Sequence, residues 1–206
     1  MKAALELAKC IFASGNPGKL REVREILGKL GVAVVSQAEF GIESVDETAA
    51  TFVDNALLKA RHAASCSGLP AIADDSGLCV DALGGEPGLR SARYAGPSAN
   101  DAANIRKLLD ALRDVPGVKR QAHFHCAAVL VRPRDTGDPL IVEQDWHGLI
   151  LDSPAGCGGF GYDPVFFDPA LGKAASELSP AEKNAVSHRG KALRLLASRL
   201  LPAALQ

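Results

Sequence analysis

Two short runs of this chain put residue types where phosphate and a divalent cation could be handled. The first is Ser14-Gly15-Asn16-Pro17-Gly18-Lys19, between an apolar segment and the start of a helical pattern. A helix N-terminus presents backbone N–H groups and a partial positive charge, and glycine lets the backbone come close to an anion. Lys19 adds a full charge, and Ser14 and Asn16 can donate hydrogen bonds. The run is not a P-loop: only two residues separate Gly15 from Gly18-Lys19, and Leu20 stands where a hydroxyl is required. An ordinary strand-to-helix turn would use the same residues. The second run is Asp74-Asp75-Ser76-Gly77 at the end of an apolar stretch. Adjacent carboxylates there repel unless cations or hydrogen bonds offset them, and the C-terminal edge of an open α/β sheet is where ligands bind. Magnesium takes a few carboxylate oxygens and completes its shell with water and phosphate. The alternative is a solvated acidic turn. Asp46-Glu47, ahead of a helix, could add a ligand or simply favour the helix dipole.

Two further runs carry weaker signals. Gly156-Cys157-Gly158-Gly159-Phe160-Gly161-Tyr162-Asp163 contains G-x-G-x-x-G, yet Asp163-Pro164 follows where a dinucleotide fold needs a helix. A glycine loop bearing Phe160 and Tyr162 suits a nucleobase, which can stack on an aromatic face; a glycine-rich β-turn reads the same way. Ser187-His188-Arg189-Gly190, with Lys183 upstream, would by itself be a solvated basic face. His123 and His125 share one strand face without a third ligand at zinc spacing, which favours a structural role.

The elements that must position these residues follow from periodicity. A strand is predicted over 8–13, then a helix from Lys19 with Leu20, Val23, Ile26, Leu27 and Leu30 on one face, stopped by Gly31, then a strand over 32–35. A second helix is expected over 51–65, with Phe52, Ala56, Ala60 and Ala63 on one face, and a short buried strand over 70–74. Residues 77–96 read as loops with a possible hairpin, and Ser98 with Asp101 as a capping box for a helix through Leu112. Two β segments are expected at 121–132 and 140–151, joined by a turn at 135–138. One last helix is marked by Ser179, Pro180 and Glu182 and striped by Leu193, Leu196 and Leu200. Strands alternating with helices give an α/β class, and residues 1–206 read as a single domain of two lobes with no linker between them.

Composition removes several function classes. The chain has 206 residues, 47% hydrophobic and 23% charged, the balance of a folded globular protein. A net charge of −1 gives no bulk attraction to a nucleic-acid polymer or an anionic membrane. No apolar run approaches the roughly 20 residues that span a bilayer, and Lys2, Glu6 and Lys9 interrupt any signal-peptide core. Five scattered cysteines without a C-x-x-C pair suit a reducing compartment, so a soluble, cytoplasmic protein is expected.

Taken together, SGNPGK (14–19), ETAATFVDNALLKARHAA (47–64), AIADDSGLCVDALGGEPGLRSARYAG (71–96), GGFGYDPVF (158–166) and SHRGKAL (187–193) resemble the inosine triphosphate pyrophosphatases. The stretches occur in family order over nearly the whole chain. Each is modest alone; all five in order are highly specific. The resemblance implies an elongated two-lobed α/β fold with a long curved mixed sheet flanked by helices and a central cleft, usually as a homodimer. It implies hydrolysis of dITP, ITP and XTP to the monophosphate and pyrophosphate, with Mg2+ as cofactor. Ser14, Gly15, Asn16, Pro17, Gly18 and Lys19 would hold the triphosphate, and Asp75 would bind magnesium and act as general base. Ser76 would touch substrate. Phe160, Gly161, Tyr162, Asp163, Lys183, His188 and Arg189 would bind the base and the rest of the nucleotide. By the same resemblance Glu47 would be the additional carboxylate and Lys59 a further phosphate-side cation, with Asp74 in support. The first position of the family motif is often Thr; Ser14 keeps the hydroxyl.

The chemistry implied is attack of water on the α-phosphorus with pyrophosphate leaving as one unit. Base selection would rest on hydrogen bonds to the 6-keto oxygen, with backbone N–H groups near Asp163, His188 and Arg189 as candidates; a buried polar mismatch of this kind discriminates by about 10⁴-fold. Two other readings stand beside this one: a Maf-like pyrophosphatase of pyrimidine or modified nucleotides, against which SHRG and FGYD argue, and a non-catalytic nucleotide sensor, which would not need Asp74 and Asp75.

Overall fold

The structure, a computed structural model, describes residues 7–133 and 138–200. Its strands are β1 (Lys9–Phe12), β2 (Ala33–Ser36), β3 (Ala71–Val80), β4 (Gln121–Val131), β5 (Leu140–Ile150), β6 (Phe166–Asp168) and β7 (Lys173–Ala174). Its helices are α1 (Pro17–Gly28), α2 (Phe52–Ser67), α3 (Asp101–Ala111), α4 (Pro180–Val186) and α5 (His188–Leu200). The strands form one seven-stranded sheet in the order β2-β1-β3-β4-β5-β6-β7. β1 runs parallel to β2 and β3, while β6 runs antiparallel to β5 and β7, so the sheet is mixed.

The chain forms two compact units. The first takes in the described residues of Met1–Asp75, Cys126–Gln144 and Arg189–Gln206; the second is Ser76–His125 and Asp145–His188. In the first unit, strand alternation divides the core in two. Cys10, Phe12, Ile72, Ala128 and Leu130 pack with Val23 and Leu27 of α1 and Leu193 and Leu196 of α5. Ile11, Ala13, Ala71, Ala73 and Val129 pack with Ala56, Ala60 and Ala63 of α2, whose small side chains let the helix lie close to the sheet. The second unit has its own core of Leu78, Ile105, Leu108, Phe124, Trp146, Tyr162 and Phe166.

Several expected boundaries are corrected. The strand expected to stop at Asp74 continues to Val80, with Asp74 paired to Lys19 and Asp75 to Lys59 within the first unit. After it, the stretch expected as loops with a hairpin carries 3₁₀ segments at Asp81–Leu83 and Gly88–Arg93, and an antiparallel bridge pairs Cys79 with Pro87. The cap of α3 is Asn100, whose side chain accepts the Ala103 N–H; it is not a Ser98–Asp101 box. The expected last helix is two: Ser187 is extended (φ −67°, ψ 155°), the backbone of a capping residue, and ends α4 before α5 begins. The Ser179–Glu182 capping box and Pro180 at the start of α4 are as expected. Residues 135–137 of the expected turn lie outside the described residues. No helix among the described residues is long and apolar enough to cross a membrane, and none of the five cysteines is in a disulfide.

Candidate functional site

In the first unit, Phe12 pairs with Ile72, so the chain leaving β1 runs alongside the part of β3 that carries Asp74 and Asp75. The loop that follows is built around Asn16. Its side chain caps α1, accepting the N–H of Gly18 at 2.8 Å and of Lys19 at 3.1 Å, while its own N–H reaches Ser14 Oγ. Two helix N–H groups expected to face an anion are thus held by Asn16. Lys19 Nζ lies 3.1 Å from Asp74 Oδ2.

Asp74 and Asp75 are adjacent in sequence but lie on opposite faces of β3, so each has cations of its own. Asp74 is fully buried and receives Lys19 and, at 3.0 Å, Arg189 Nε. Arg189 also donates through Nη1 to Glu22 on α1. Burial alone would lower the Arg189 pKa, but Asp74 and Glu22 outweigh it and raise it, so the guanidinium stays charged. Instead of a solvated basic face, Arg189 is a buried strut between two carboxylates.

Asp75 faces α2. Asn55 Nδ2 donates to its Oδ2 at 3.1 Å, and Lys59, one turn further along the same helix face, places Nζ 3.6 Å from its Oδ1. The same ammonium bonds Glu47 Oε1 at 2.6 Å and the Asp74 carbonyl at 2.8 Å. Asn55 also accepts the Ala49 N–H, tying the segment that bears Glu47 to α2. Burial pushes the Asp75 carboxyl up and Glu47 adds to this; Lys59 and Lys19 oppose it without cancelling it. Lys59 is itself desolvated, yet Asp75, Asp74 and Glu47 hold its pKa above the ordinary lysine value. Two carboxylates therefore share one ammonium, leaving an excess of negative charge on hard oxygens. That donor set fits magnesium, which needs few protein ligands when phosphate and water supply the rest. Among the described residues there is no cluster of three or more His, Cys, Asp or Glu able to hold a metal alone.

In the second unit the glycine loop is fastened by Asp163, whose Oδ2 accepts the Phe160 N–H at 2.8 Å and Lys183 Nζ at 2.6 Å. Lys183 is buried and lies 4.4 Å from the centroid of the Phe160 ring, a cation–π contact. Tyr162 is not an exposed stacking face: it is buried and its hydroxyl donates to the Ser91 carbonyl at 2.9 Å. Backbone N–H groups expected to read the base are engaged within the protein, Phe160 with Asp163, Gly161 with Asp101 and Asp163 with the Phe160 carbonyl. The His188 ring stacks on Phe124, 4.8 Å between centroids and 10° between planes. Ser76, the residue after Asp75, is half-buried on β3. His125 pairs with Asp145 at 2.7 Å.

Gly159 has φ +75° and no room for a side chain, since a Cβ there would overlap the Asp163 carboxylate. Gly159→Ala is expected to cost about 1–3 kcal/mol of stability from backbone strain and lost Asp163 geometry. A urea titration showing no change would mean that the loop is not held as described.

Glu22 and Asn55 belong to these arrangements and were not singled out by sequence; Asp101, expected as a helix cap, joins them through Gly161. Asn55 left a trace, a polar residue beside the alanine face of α2, four positions before Lys59.

These features define a mixed α/β protein with a cluster of acids and lysines beyond the end of a parallel strand. The chain belongs to the Ham1 family, whose model matches residues 10–199. It is 57% identical over 190 residues to the dITP/XTP pyrophosphatase of Yersinia pseudotuberculosis serotype I (strain IP32953), covering 92% of this chain and 96% of that one. It is 54% identical over 190 residues to the dITP/XTP pyrophosphatase of Escherichia coli O157:H7, with the same coverage of 92% and 96%. Among solved structures, a HAM1 protein from Coxiella burnetii superposes with a TM-score of 0.85 at 47% identity, over 93% of this chain and 98% of that one. The Staphylococcus aureus Ham1 protein gives 0.81 at 39% identity, over 93% and 97%.

Proposed function

We propose that this protein hydrolyses non-standard purine nucleoside triphosphates (dITP, ITP and XTP) to the monophosphate and pyrophosphate, clearing them from the nucleotide pool. Relatives that match over nearly their whole length are named dITP/XTP pyrophosphatases. The observation that carries the reading is the buried Asp75, held by Asn55 and sharing Lys59 with Glu47.

In this reading a water oxygen bonds to the α-phosphorus as the bond to the α,β-bridging oxygen breaks, and pyrophosphate leaves with that electron pair. Asp75, its carboxyl raised by burial, takes the proton of the attacking water. Glu47 and Asp75 would hold magnesium, whose charge would offset that of the phosphate oxygens. Lys59, already bonded to both acids, and Lys19, braced by Asp74, present their charges to the phosphates. Ser14, Gly15, Asn16, Pro17 and Gly18 form the loop around the triphosphate, and Ser76 contacts the substrate. Phe160, Gly161, Tyr162 and Asp163, with Lys183 and His188, serve the base and sugar, Tyr162 and Lys183 by fixing the loop; Arg189 acts through Asp74, which braces Lys19. The same reading carries a cytoplasmic location and a homodimer, which sedimentation would check.

The test is incubation with magnesium and dITP, XTP, dGTP, dATP or dTTP, reading each product. Selective release of pyrophosphate from dITP and XTP is expected. Orthophosphate plus a diphosphate would overturn the site of attack. A preference for dTTP would favour the Maf-like alternative, and dITP binding without turnover the sensor.

A further inference from the structure

Asn100 already caps α3, so the carboxylate of Asp101 is not needed for that purpose. It turns instead to the glycine loop, where Oδ2 accepts the N–H of Gly161 at 2.6 Å across 60 residues of sequence.

The loop is otherwise gripped on either side of this point. Gly158 N–H donates to the Ser176 carbonyl at 3.1 Å, and Phe160 N–H to Asp163 at 2.8 Å. Tyr162 is anchored on the Ser91 carbonyl at 2.9 Å. The apex differs. Gly159 is so tightly packed that a methyl would collide with Asp163, whereas a methyl on Gly161 would meet nothing within 4 Å. Gly161, at φ +61°, sits in the backbone region where glycine is most at ease, with open space where a side chain would be. The Asp163 N–H closes the turn on the Phe160 carbonyl, and Asp101 adds the hydrogen bond from another element that fixes its apex.

We propose that Asp101 is a positioning residue for the nucleobase: by clamping the Gly161 N–H it sets the loop apex and, through it, the half-exposed Phe160 ring on which a purine stacks. This deepens the function proposed above and rests on it for the identity of the ligand. The clamp itself is testable without nucleotide.

Asp101→Ala removes the acceptor; Asp101→Asn keeps an oxygen acceptor while losing the charge that also favours the N-terminus of α3. In hydrogen exchange of the unliganded protein, Asp101→Ala is expected to speed exchange at Gly161 about 10-fold, with Asp101→Asn much closer to the parent. In turnover of dITP, Asp101→Ala should raise KM about 5- to 20-fold and leave kcat within about 2-fold, and Asp101→Asn should recover most of the loss. Unchanged exchange and KM in Asp101→Ala would overturn the proposal. So would an Asp101→Asn variant as impaired as Asp101→Ala, which would make charge at the start of α3 the cause. If the parent protein turns over none of the triphosphates, the functional reading fails on that result, and the exchange comparison still decides whether the clamp exists.

Discussion

Asp75→Asn is expected to lower turnover of dITP by about 10²–10⁴-fold while making the metal-free protein more stable to heat. The two effects share a cause. Burial raises the Asp75 carboxyl, and the nearby lysines do not fully undo this, so the folded protein holds the ionised form at a cost. A carboxyl whose folded pKa is raised contributes stability that is complete below its unfolded value, about 3.9, and is lost as pH rises through the folded value. Above the folded value the parent has lost that contribution. Asparagine carries no charge there and can still accept from Asn55. The stability difference between variant and parent should therefore grow from about pH 4 upward.

Magnesium should reverse the order. A ligand bound only by the folded state stabilises by about 2.7 kcal/mol at a hundredfold excess over its Kd, roughly 5–10 °C for a domain of this size. The parent should gain this on addition of magnesium, and Asp75→Asn little of it. Near-normal turnover in the variant, or an equal thermal shift with magnesium, would remove Asp75 from both roles.

Much of this arrangement could be read from the chain because local rules write it locally. The apolar stripe of α1 names the residues that are buried, Val23, Ile26 and Leu27, and Ser179, Pro180 and Glu182 mark the start of α4. The end of β3 was not legible. Asp-Asp-Ser-Gly has the composition of a turn, and it stays in the strand because the pleat sends its acids to cations far away in sequence. Arg189 reaches Asp74 across 115 residues, and no periodicity reports such a pairing. The same holds for Glu22, which meets Arg189 across 167 positions, and for Asp101, which reads as a capping residue and instead meets Gly161 across 60. The burial of Tyr162 is illegible for the converse reason. An aromatic ring in a glycine loop looks available for stacking until the Ser91 carbonyl is found at its hydroxyl.

Arg189 is where the difference between a ligand-binding residue and a strut has the largest measurable consequence. Its side chain is almost wholly enclosed, with Nε committed to Asp74 and Nη1 to Glu22. Arg189→Met would leave Glu22 without this partner and Asp74, at 0% exposure, with Lys19 in its place. Removing one member of a buried charge network costs about 3–5 kcal/mol, most of it the penalty of the stranded charges. Arg189→Lys should fall between, because a single ammonium cannot reproduce two nitrogens aimed at two acids. Adding Glu22→Gln to Arg189→Met should recover part of the loss, giving a non-additive cycle that marks the pair as coupled. Urea unfolding of the parent, Arg189→Met, Arg189→Lys, Glu22→Gln and the double variant measures this directly. A residue that only touched nucleotide would change KM and leave the urea midpoint alone, so a loss below about 1 kcal/mol in Arg189→Met would end the structural assignment. The larger loss would also explain why an arginine beside a proposed nucleotide site is buried in the protein. Held between Glu22 and Asp74, it fixes the Asp74 carboxylate, and Asp74 in turn holds Lys19 in place.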